Sequence, residues 1–184
     1  METKEYLANY YEQYNEDSRL ISKHGMIEYI TTMKYVEKYL RLGMRILEIG
    51  AATGRYSHAL TQKGYQVDAI ELVEYNIEIF KQNTIKGESV TITQGNAVNL
   101  SAFESGTYDI TLLLGPMYHL FSKDDKLKAL SEAMQVTKKG GIVFAAYCMD
   151  DAMYELYLKY HLAICERQDM VGYSHHTLDI FRKD

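Results

Sequence analysis

Several residue types are scarce in this sequence. It contains no tryptophan, one proline (Pro116) and two cysteines (Cys148 and Cys165). The cysteines form neither a CxxC motif nor a zinc-ligand pair, and the histidines share no metal-ligand spacing, so we expect reduced thiols and no metal site. The sequence also lacks an apolar run of membrane-spanning length and the apolar core of a signal peptide. These absences predict a cytoplasmic protein with no membrane partner.

An excess of positive charge is also missing. The net charge is −5 at pH 7 and the sequence pI is about 5.7, so nothing in the composition attracts a polynucleotide, and we expect no nucleic-acid partner. Hydrophobic residues make up 47% of the 184 residues, which is enough for one core and predicts a single domain over 1–184. The 17 tyrosines can line a pocket or be ordinary core and surface residues.

The order of apolar segments predicts an α/β fold. Residues 1–43 have helical spacing, with Met26, Ile30, Met33, Val36 and Leu40 on one face of a second helix that ends before Gly43. From residue 44, short apolar runs alternate with helical stretches, which indicates βαβ units and a parallel sheet. Strands are predicted over 45–49, 66–72, 90–94, 108–114 and 141–147, with helices near 54–63, 73–83 and 123–138 between them.

Right-handed crossovers between these units give a Rossmann-like sheet of order 3-2-1-4-5 with helices on both faces. Residues 1–43 then form an N-terminal helical lid, 44–150 the cofactor-binding core, and 151–184 a helix (151–167) and a polar tail. Ser122 is the expected N-cap of the helix before strand 5, with Asp125 three residues on, and Leu127, Leu130 and Met134 are expected to pack on the sheet. Ligands bind in such a fold at the carboxyl ends of strands 1 and 4.

The segment after strand 1, ILEIGAATGRY, indicates a cofactor site. Glu48, Gly50 and Gly54 follow the order ExGxxxG, with Ala52 where a dinucleotide site needs a glycine beside the pyrophosphate. Gly50 allows a turn that a Cβ hinders, and Gly54 allows the ligand to approach the helix start. The acidic Glu48 repels a pyrophosphate and suits a cofactor that carries an ammonium and a sulfonium.

Two further strand ends add candidate cofactor residues. Glu71 closes strand 2, 21 residues after Gly50, where a carboxylate can accept both hydroxyls of a ribose. Leu72 follows it and can cover one face of an adenine. After strand 3, the amide of Asn96 can bind the adenine edge or simply form a turn.

The end of strand 4, LLLGPMYHL, is the candidate acceptor side. Gly115 and Pro116 bend the chain away from the sheet and fix the side chains that follow. His119 titrates near neutral pH and can take a proton from an acceptor, and Tyr118 can line the pocket. A structural histidine is the alternative reading of His119.

Taken together, these residues resemble class I S-adenosylmethionine-dependent methyltransferases over roughly residues 24–150. The resemblance is carried by ILEIGAATGRY, by Glu71 closing VDAIEL, by GNA at 95–97 and by YDITLLLGPMYHL, which is similar to a bacterial group with a GPxYHL block. It implies S-adenosylmethionine as the cofactor. It further implies that the methionine part of the cofactor lies among Glu48, Gly50, Gly54 and Gly115, that Glu71 holds the ribose, and that Asn96 and Ala97 lie near the adenine. We expect Ala51 and Leu72, the neighbours of Gly50 and Glu71, to contact the cofactor as well.

The resemblance implies methyl transfer, and our hypothesis is transfer to an oxygen or nitrogen of a small-molecule acceptor, with His119 and Tyr118 as the catalytic residues. The strand-4 end has neither the Asn/Asp-Pro-Pro-Tyr block of DNA amino-methyltransferases nor a Pro-Cys nucleophile. The polar tail also implies that the last two strands of the family are missing, so that the tail or a homodimer covers the strand-5 edge. A non-catalytic or truncated cofactor-binding module is the alternative function, and an NAD-type dehydrogenase is disfavoured by Ala52.

Overall fold

The computed structural model describes residues 23–148 and 176–183. Its strands form one six-stranded sheet in the order β3-β2-β1-β4-β5-β6. The strands are β1 (Arg45–Ile49), β2 (Gln66–Glu71), β3 (Val90–Gln94), β4 (Tyr108–Leu113), β5 (Thr137–Cys148) and β6 (His176–Arg182). The helices are α1 (Lys23–Tyr39), α2 (Arg55–Gln62), α3 (Glu74–Asn83) and α4 (Lys123–Val136), with a 3₁₀ turn at Pro116–Tyr118. The predicted helices over 1–22 and 151–167 lie outside the described residues.

The first five strands are parallel, as predicted, and in the predicted order. β1 pairs with β2 on one side and with β4 on the other, so that Glu48 lies beside both Ala69 and Leu112. Because the strands are parallel, their carboxyl ends meet at one edge of the sheet. That edge carries the loops after β1, β2, β3 and β4, which contain every predicted site residue except Glu48 and Glu71. Glu48 is the penultimate residue of β1 and Glu71 is the last residue of β2.

Helices cover both faces of the sheet, which explains why β1 is buried from Ile46 to Ile49. On one face, side chains from α1 and α2 pack against β1, β4 and β5, and α3 contributes Phe80. On the other face, α4 presents Ala129, Ala133 and Val136 to the sheet. None of the helices in the described part of the chain is long and apolar enough to cross a membrane.

The sixth strand corrects one prediction. The polar tail was expected to hold no strand, but β6 pairs antiparallel with β5 from Ile142–Arg182 to Cys148–His176. One of the two strands predicted to be missing is therefore present, and the tail itself covers the β5 edge. The other prediction was a homodimer through the β5 edge. Such a dimer would need backbone N–H and C=O groups of β5 that already pair with β6.

Three predictions about helix packing are wrong in detail. Ile30 is 57% exposed because Tyr29, Met33, Val36 and Leu40, spaced by four, three and four residues, form the inward face of α1. Leu127 is 53% exposed because it lies two residues before the buried Ala129, on the other side of α4. α4 ends at Val136 rather than near 138, where the buried Thr137 hydroxyl donates to the Ala133 carbonyl oxygen at 2.7 Å. The predicted N-cap is confirmed, since the Asp125 N–H donates to Ser122 Oγ at 3.0 Å.

Candidate active site

The loop after β1 is a tight turn in which three residues have positive φ. These are Gly50 (74°), Ala52 (47°) and Gly54 (92°). The N–H groups of Gly50 and Ala51 donate to the Ile70 carbonyl oxygen at 2.8 and 3.2 Å, which ties the loop to β2. Ala52 therefore occupies a left-handed conformation that favours glycine, and it does so without disrupting the turn.

The two glycines of this loop are required by neighbouring protein atoms. A Cβ on Gly50 would lie 2.4 Å from Pro116 Cδ, and a Cβ on Gly54 would lie 2.5 Å from the ring of Phe80. The sequence predicts that Gly54 lets a ligand approach the start of the helix. In the structure, Phe80 and His58 fill the space that a side chain at position 54 would occupy. His58 is itself held by Glu88, whose Oε2 lies 2.7 Å from His58 Nδ1.

Glu71 lies at the predicted tip of β2 and is almost completely buried. Its two carboxylate oxygens accept N–H groups from Ala52 at 2.8 Å and Val73 at 2.9 Å, so it connects the β1 loop to the start of α3. Burial raises the pKa of Glu71, and the backbone N–H groups act in the opposite direction. A carboxylate accepts about four hydrogen bonds, and binding of ribose hydroxyls by Glu71 remains a prediction.

Glu48 is buried at the end of β1, on the sheet face covered by α2. Ser57 Oγ of α2 donates to its Oε2. Burial raises the pKa of Glu48 to about 8, because little around it compensates the charge of the carboxylate. A cation beside Glu48 would restore the charged form, which is the property expected of a residue near the ammonium of a methionine group.

The predicted adenine contacts lie beside the tip of β2. Leu72 is partly exposed, and its carbonyl oxygen accepts the side-chain amide of Gln94 at 3.1 Å. Asn96 is exposed, and its Oδ1 accepts the Val98 N–H at 3.2 Å, which is the turn role that the sequence left open. Ala97 is buried in the core on the α4 face. Contacts of these three residues with adenine remain predictions.

The turn after β4 lies directly against the β1 loop. A Cβ on Gly115 would be 2.9 Å from the Gly50 carbonyl oxygen, so the two loops touch. In the 3₁₀ turn that follows, Met117 is buried on the α4 face while Tyr118 packs on the opposite face with α1 and α2. His119 is partly buried, and burial lowers its pKa.

Two residues that sequence reasoning did not assign also lie at this edge. The Tyr29 ring of α1 stacks on the Arg55 guanidinium, with 4.5 Å from Arg55 Cζ to the ring centroid, and its centre is 5.1 Å from the ring of Tyr56. The tyrosine count raised the possibility of such a cluster, but the contact joins positions 26 residues apart. No local pattern predicts that contact.

Asp109 has the structural role that its position at the start of β4 predicts. Its carboxylate accepts the Arg45 N–H at 2.9 Å and the Lys138 ammonium at 2.9 Å. Both contacts lie at the amino ends of the strands, opposite the candidate site. Within residues 23–148 and 176–183, no group of three potential metal ligands comes together.

These residues fit an adenosyl cofactor with a methionine side chain. Glu71 offers acceptor oxygens for a ribose, Glu48 favours a nearby cation, and Ala52 leaves the loop without the second glycine that a pyrophosphate needs. A parallel sheet of order 3-2-1-4-5 with one antiparallel strand at its edge, combined with this loop and these carboxylates, defines a class I S-adenosylmethionine-dependent methyltransferase fold.

Comparison with known proteins agrees with this class. A family model described as "Methyltransferase domain" matches residues 47–145, and the chain belongs to this family. The match includes the β1 loop, Glu71 and the turn after β4. The cofactor of this class is S-adenosylmethionine.

Individual relatives are more distant. The chain is 30% identical over 138 residues to a demethylmenaquinone methyltransferase of Staphylococcus aureus, covering 68% of this chain and 54% of that protein. It is 28% identical over 116 residues to a glycine/sarcosine N-methyltransferase of Aphanothece halophytica, covering 62% of this chain and 42% of that protein. The chain thus spans about half the length of the curated relatives it matches.

Solved structures share the fold. A protein from Pyrococcus horikoshii superposes with a TM-score of 0.68 at 20% identity, covering 83% of this chain and 71% of that one. A SAM-dependent methyltransferase from Methanosarcina mazei superposes with a TM-score of 0.58 at 23% identity, covering 70% and 64% of the two chains.

Proposed function

We propose that this chain binds S-adenosylmethionine and transfers its methyl group to an oxygen or nitrogen of a small-molecule acceptor. The observation that carries this proposal is the contact between the loops at Gly50 and Gly115. The predicted cofactor residues follow β1, β2 and β3, whereas the predicted acceptor residues follow β4. Contact between the two loops brings both sets to one edge of the sheet, as a direct transfer requires.

The cofactor residues divide by the part of the molecule that they bind. Glu71 accepts the ribose hydroxyls, Leu72 covers the adenine ring, and Asn96 and Ala97 lie at its edge. Glu48 lies near the ammonium of the methionine part. The backbone of Gly50, Ala51, Gly54 and Gly115 surrounds the rest of that part.

When bound, S-adenosylmethionine supplies a methyl group whose bond to sulfur breaks as the bond to the acceptor forms. His119 accepts the proton that the acceptor hydroxyl or amine loses, because its lowered pKa favours the neutral imidazole, which has a nitrogen free of a proton. Tyr118 forms one wall of the acceptor pocket. Pro116 limits the movement of the turn, which holds both side chains in place.

The names of the relatives support methyl transfer and leave the acceptor open. One relative is named for demethylmenaquinone and the other for glycine and sarcosine. These acceptors differ in size and polarity. The turn after β4 and the helix α1 are the described elements that would distinguish between them.

Calorimetry with S-adenosylhomocysteine and with NAD tests the cofactor. We expect heat of binding with the first compound and none with the second. Methyl transfer from radiolabelled S-adenosylmethionine to a panel of hydroxyl and amine acceptors, with glycine and sarcosine included, then tests catalysis. A folded protein that does not bind S-adenosylhomocysteine contradicts the proposal, and binding without turnover on any acceptor favours a non-catalytic module.

A further inference from the structure

Arg55 is a cation without a carboxylate partner among the residues that the structure describes. It is the first residue of α2 and directly follows Gly54. One of its terminal nitrogens contacts the Met26 sulfur at 3.6 Å, and a thioether is a weak acceptor. A positive charge at the amino end of a helix opposes the helix dipole, so the position of Arg55 does not stabilise α2. The charge of Arg55 is therefore not explained by the stability of α2 itself.

The guanidinium is nonetheless held in place. Tyr29 stacks on it with 4.5 Å between Arg55 Cζ and the ring centroid, and Tyr29 in turn contacts Tyr56. A cation–π contact with the guanidinium uses none of its N–H groups as hydrogen-bond donors to another acceptor, so those not directed at Met26 can bind a ligand. This geometry suits a planar anion, because a carboxylate accepts two parallel N–H bonds from an arginine.

The nearby charges identify the anion. Ser57, two residues after Arg55 in the first turn of α2, donates to Glu48, so an arginine and an acid lie together at the start of this helix, beside the β1 loop. An α-amino acid carries an ammonium and a carboxylate on one carbon atom. A site with one acid and one arginine matches both groups.

We infer that Arg55 binds the carboxylate of the methionine part of the cofactor, and that Tyr29 of α1 positions the guanidinium. This inference rests on the proposed function, because it requires S-adenosylmethionine to occupy the β1 loop. It gives α1 a defined role, since a residue of the N-terminal helix then contributes to cofactor affinity through its contact with Arg55.

Two probes separate this inference from a general role in folding. S-adenosylhomocysteine has the amino-acid carboxylate, and 5′-deoxy-5′-methylthioadenosine has the same adenosine and thioether without the amino acid. In Arg55→Gln, we expect the affinity for S-adenosylhomocysteine to fall by about tenfold or more, as loss of a charge-assisted bidentate pair predicts, with unchanged affinity for methylthioadenosine. Arg41→Gln is the matched control. Arg41 is exposed and its guanidinium donates to the Lys38 and Leu40 carbonyl oxygens, so the substitution should leave both affinities unchanged.

Variants of Tyr29 test the stacking contact. Tyr29→Phe keeps the ring and should bind S-adenosylhomocysteine as the wild type does, whereas Tyr29→Leu should weaken only that ligand. Added salt should weaken S-adenosylhomocysteine binding in the wild type more than in Arg55→Gln. Equal loss for both probes in Arg55→Gln, or no loss for either, overturns the inference. Failure of the wild type to bind either probe would instead contradict the proposed function.

Discussion

Gly50 and Pro116 lie so close together that a single methyl group on Gly50 would be 2.4 Å from Pro116 Cδ. The only proline of the sequence is thus packed against the first glycine of the cofactor loop. This contact fixes how closely the β1 loop and the turn after β4 approach each other.

Gly50→Ala should therefore destabilise the protein more than an alanine at an open glycine. Gly43 has a similar φ, 78° against 74°, and nothing within 4 Å of an added Cβ. We expect a left-handed strain of about 1–2 kcal/mol in Gly43→Ala. Gly50→Ala should cost roughly 1–3 kcal/mol more from overpacking. Urea unfolding measures both, and Pro116→Ala in the Gly50→Ala background should recover part of the difference. Equal losses in the two single variants would contradict this account.

Ala52→Gly should stabilise the protein. At φ 47°, alanine is strained and glycine is not, and this gain exceeds the larger entropy that glycine gains on unfolding. The expected increase is about 0.5–1 kcal/mol. Ala59→Gly, in the middle of α2, is the control and should lower stability by about 1 kcal/mol. A loss of stability in Ala52→Gly would show that the strain is absent.

Glu48→Gln should change how stability depends on pH. An acid whose pKa is about 8 when folded and near 4.5 when unfolded holds a proton only in the folded state between these values. Stability of the wild type therefore falls as pH rises through this window, by up to about 1.4 kcal/mol per pH unit from this one group. The stability of Glu48→Gln relative to the wild type should rise from pH 5 to pH 8.

Denaturant unfolding at several pH values measures this difference. Glu37→Gln is the control, since Glu37 is exposed and pairs with Lys63 at 2.9 Å on the surface. Its stability relative to the wild type should change little across the same range. Parallel curves for Glu48→Gln and the wild type would mean that Glu48 is charged in the folded protein.

His119→Ala should reduce turnover without reducing cofactor affinity. Loss of a general base lowers the rate by roughly 10²–10⁴-fold. Because burial lowers the pKa of His119, the wild-type rate should stay constant as pH falls through 6.5 and decline only below that value. Steady-state kinetics on an accepted substrate, with S-adenosylhomocysteine titration as the binding control, measures both effects. An unchanged rate would assign His119 a structural role.

Local patterns predict the central sheet because each of its elements has a local cause. β1 is a run of apolar residues interrupted only by Glu48, and Gly50, Gly54 and Glu71 follow at spacings that the fold requires. The sequence therefore predicts the order of the first five strands, the cofactor loop and the carboxylate at the tip of β2.

The predictions from sequence fail where contacts between residues far apart in the chain determine the structure. In β6, Leu178 and Ile180 pack on the core, but two inward apolar residues in a segment that also holds Thr177, Asp179 and Arg182 resemble a solvated tail. The antiparallel pairing with β5 supplies the stability that this short pattern lacks. The contact between Tyr29 and Arg55 likewise depends on how α1 docks, which no local spacing reveals.

The last pair of the β5–β6 ladder joins Cys148 to His176. The chain therefore departs from the sheet and rejoins it at neighbouring points, on the same side of the molecule as Tyr118 and His119. Any insertion, deletion or substitution between positions 149 and 175 therefore lies in a segment whose two ends are fixed in the sheet, near the turn after β4. The β1 loop and Glu71 follow other strands of the sheet, so the two ends of this segment are anchored apart from them.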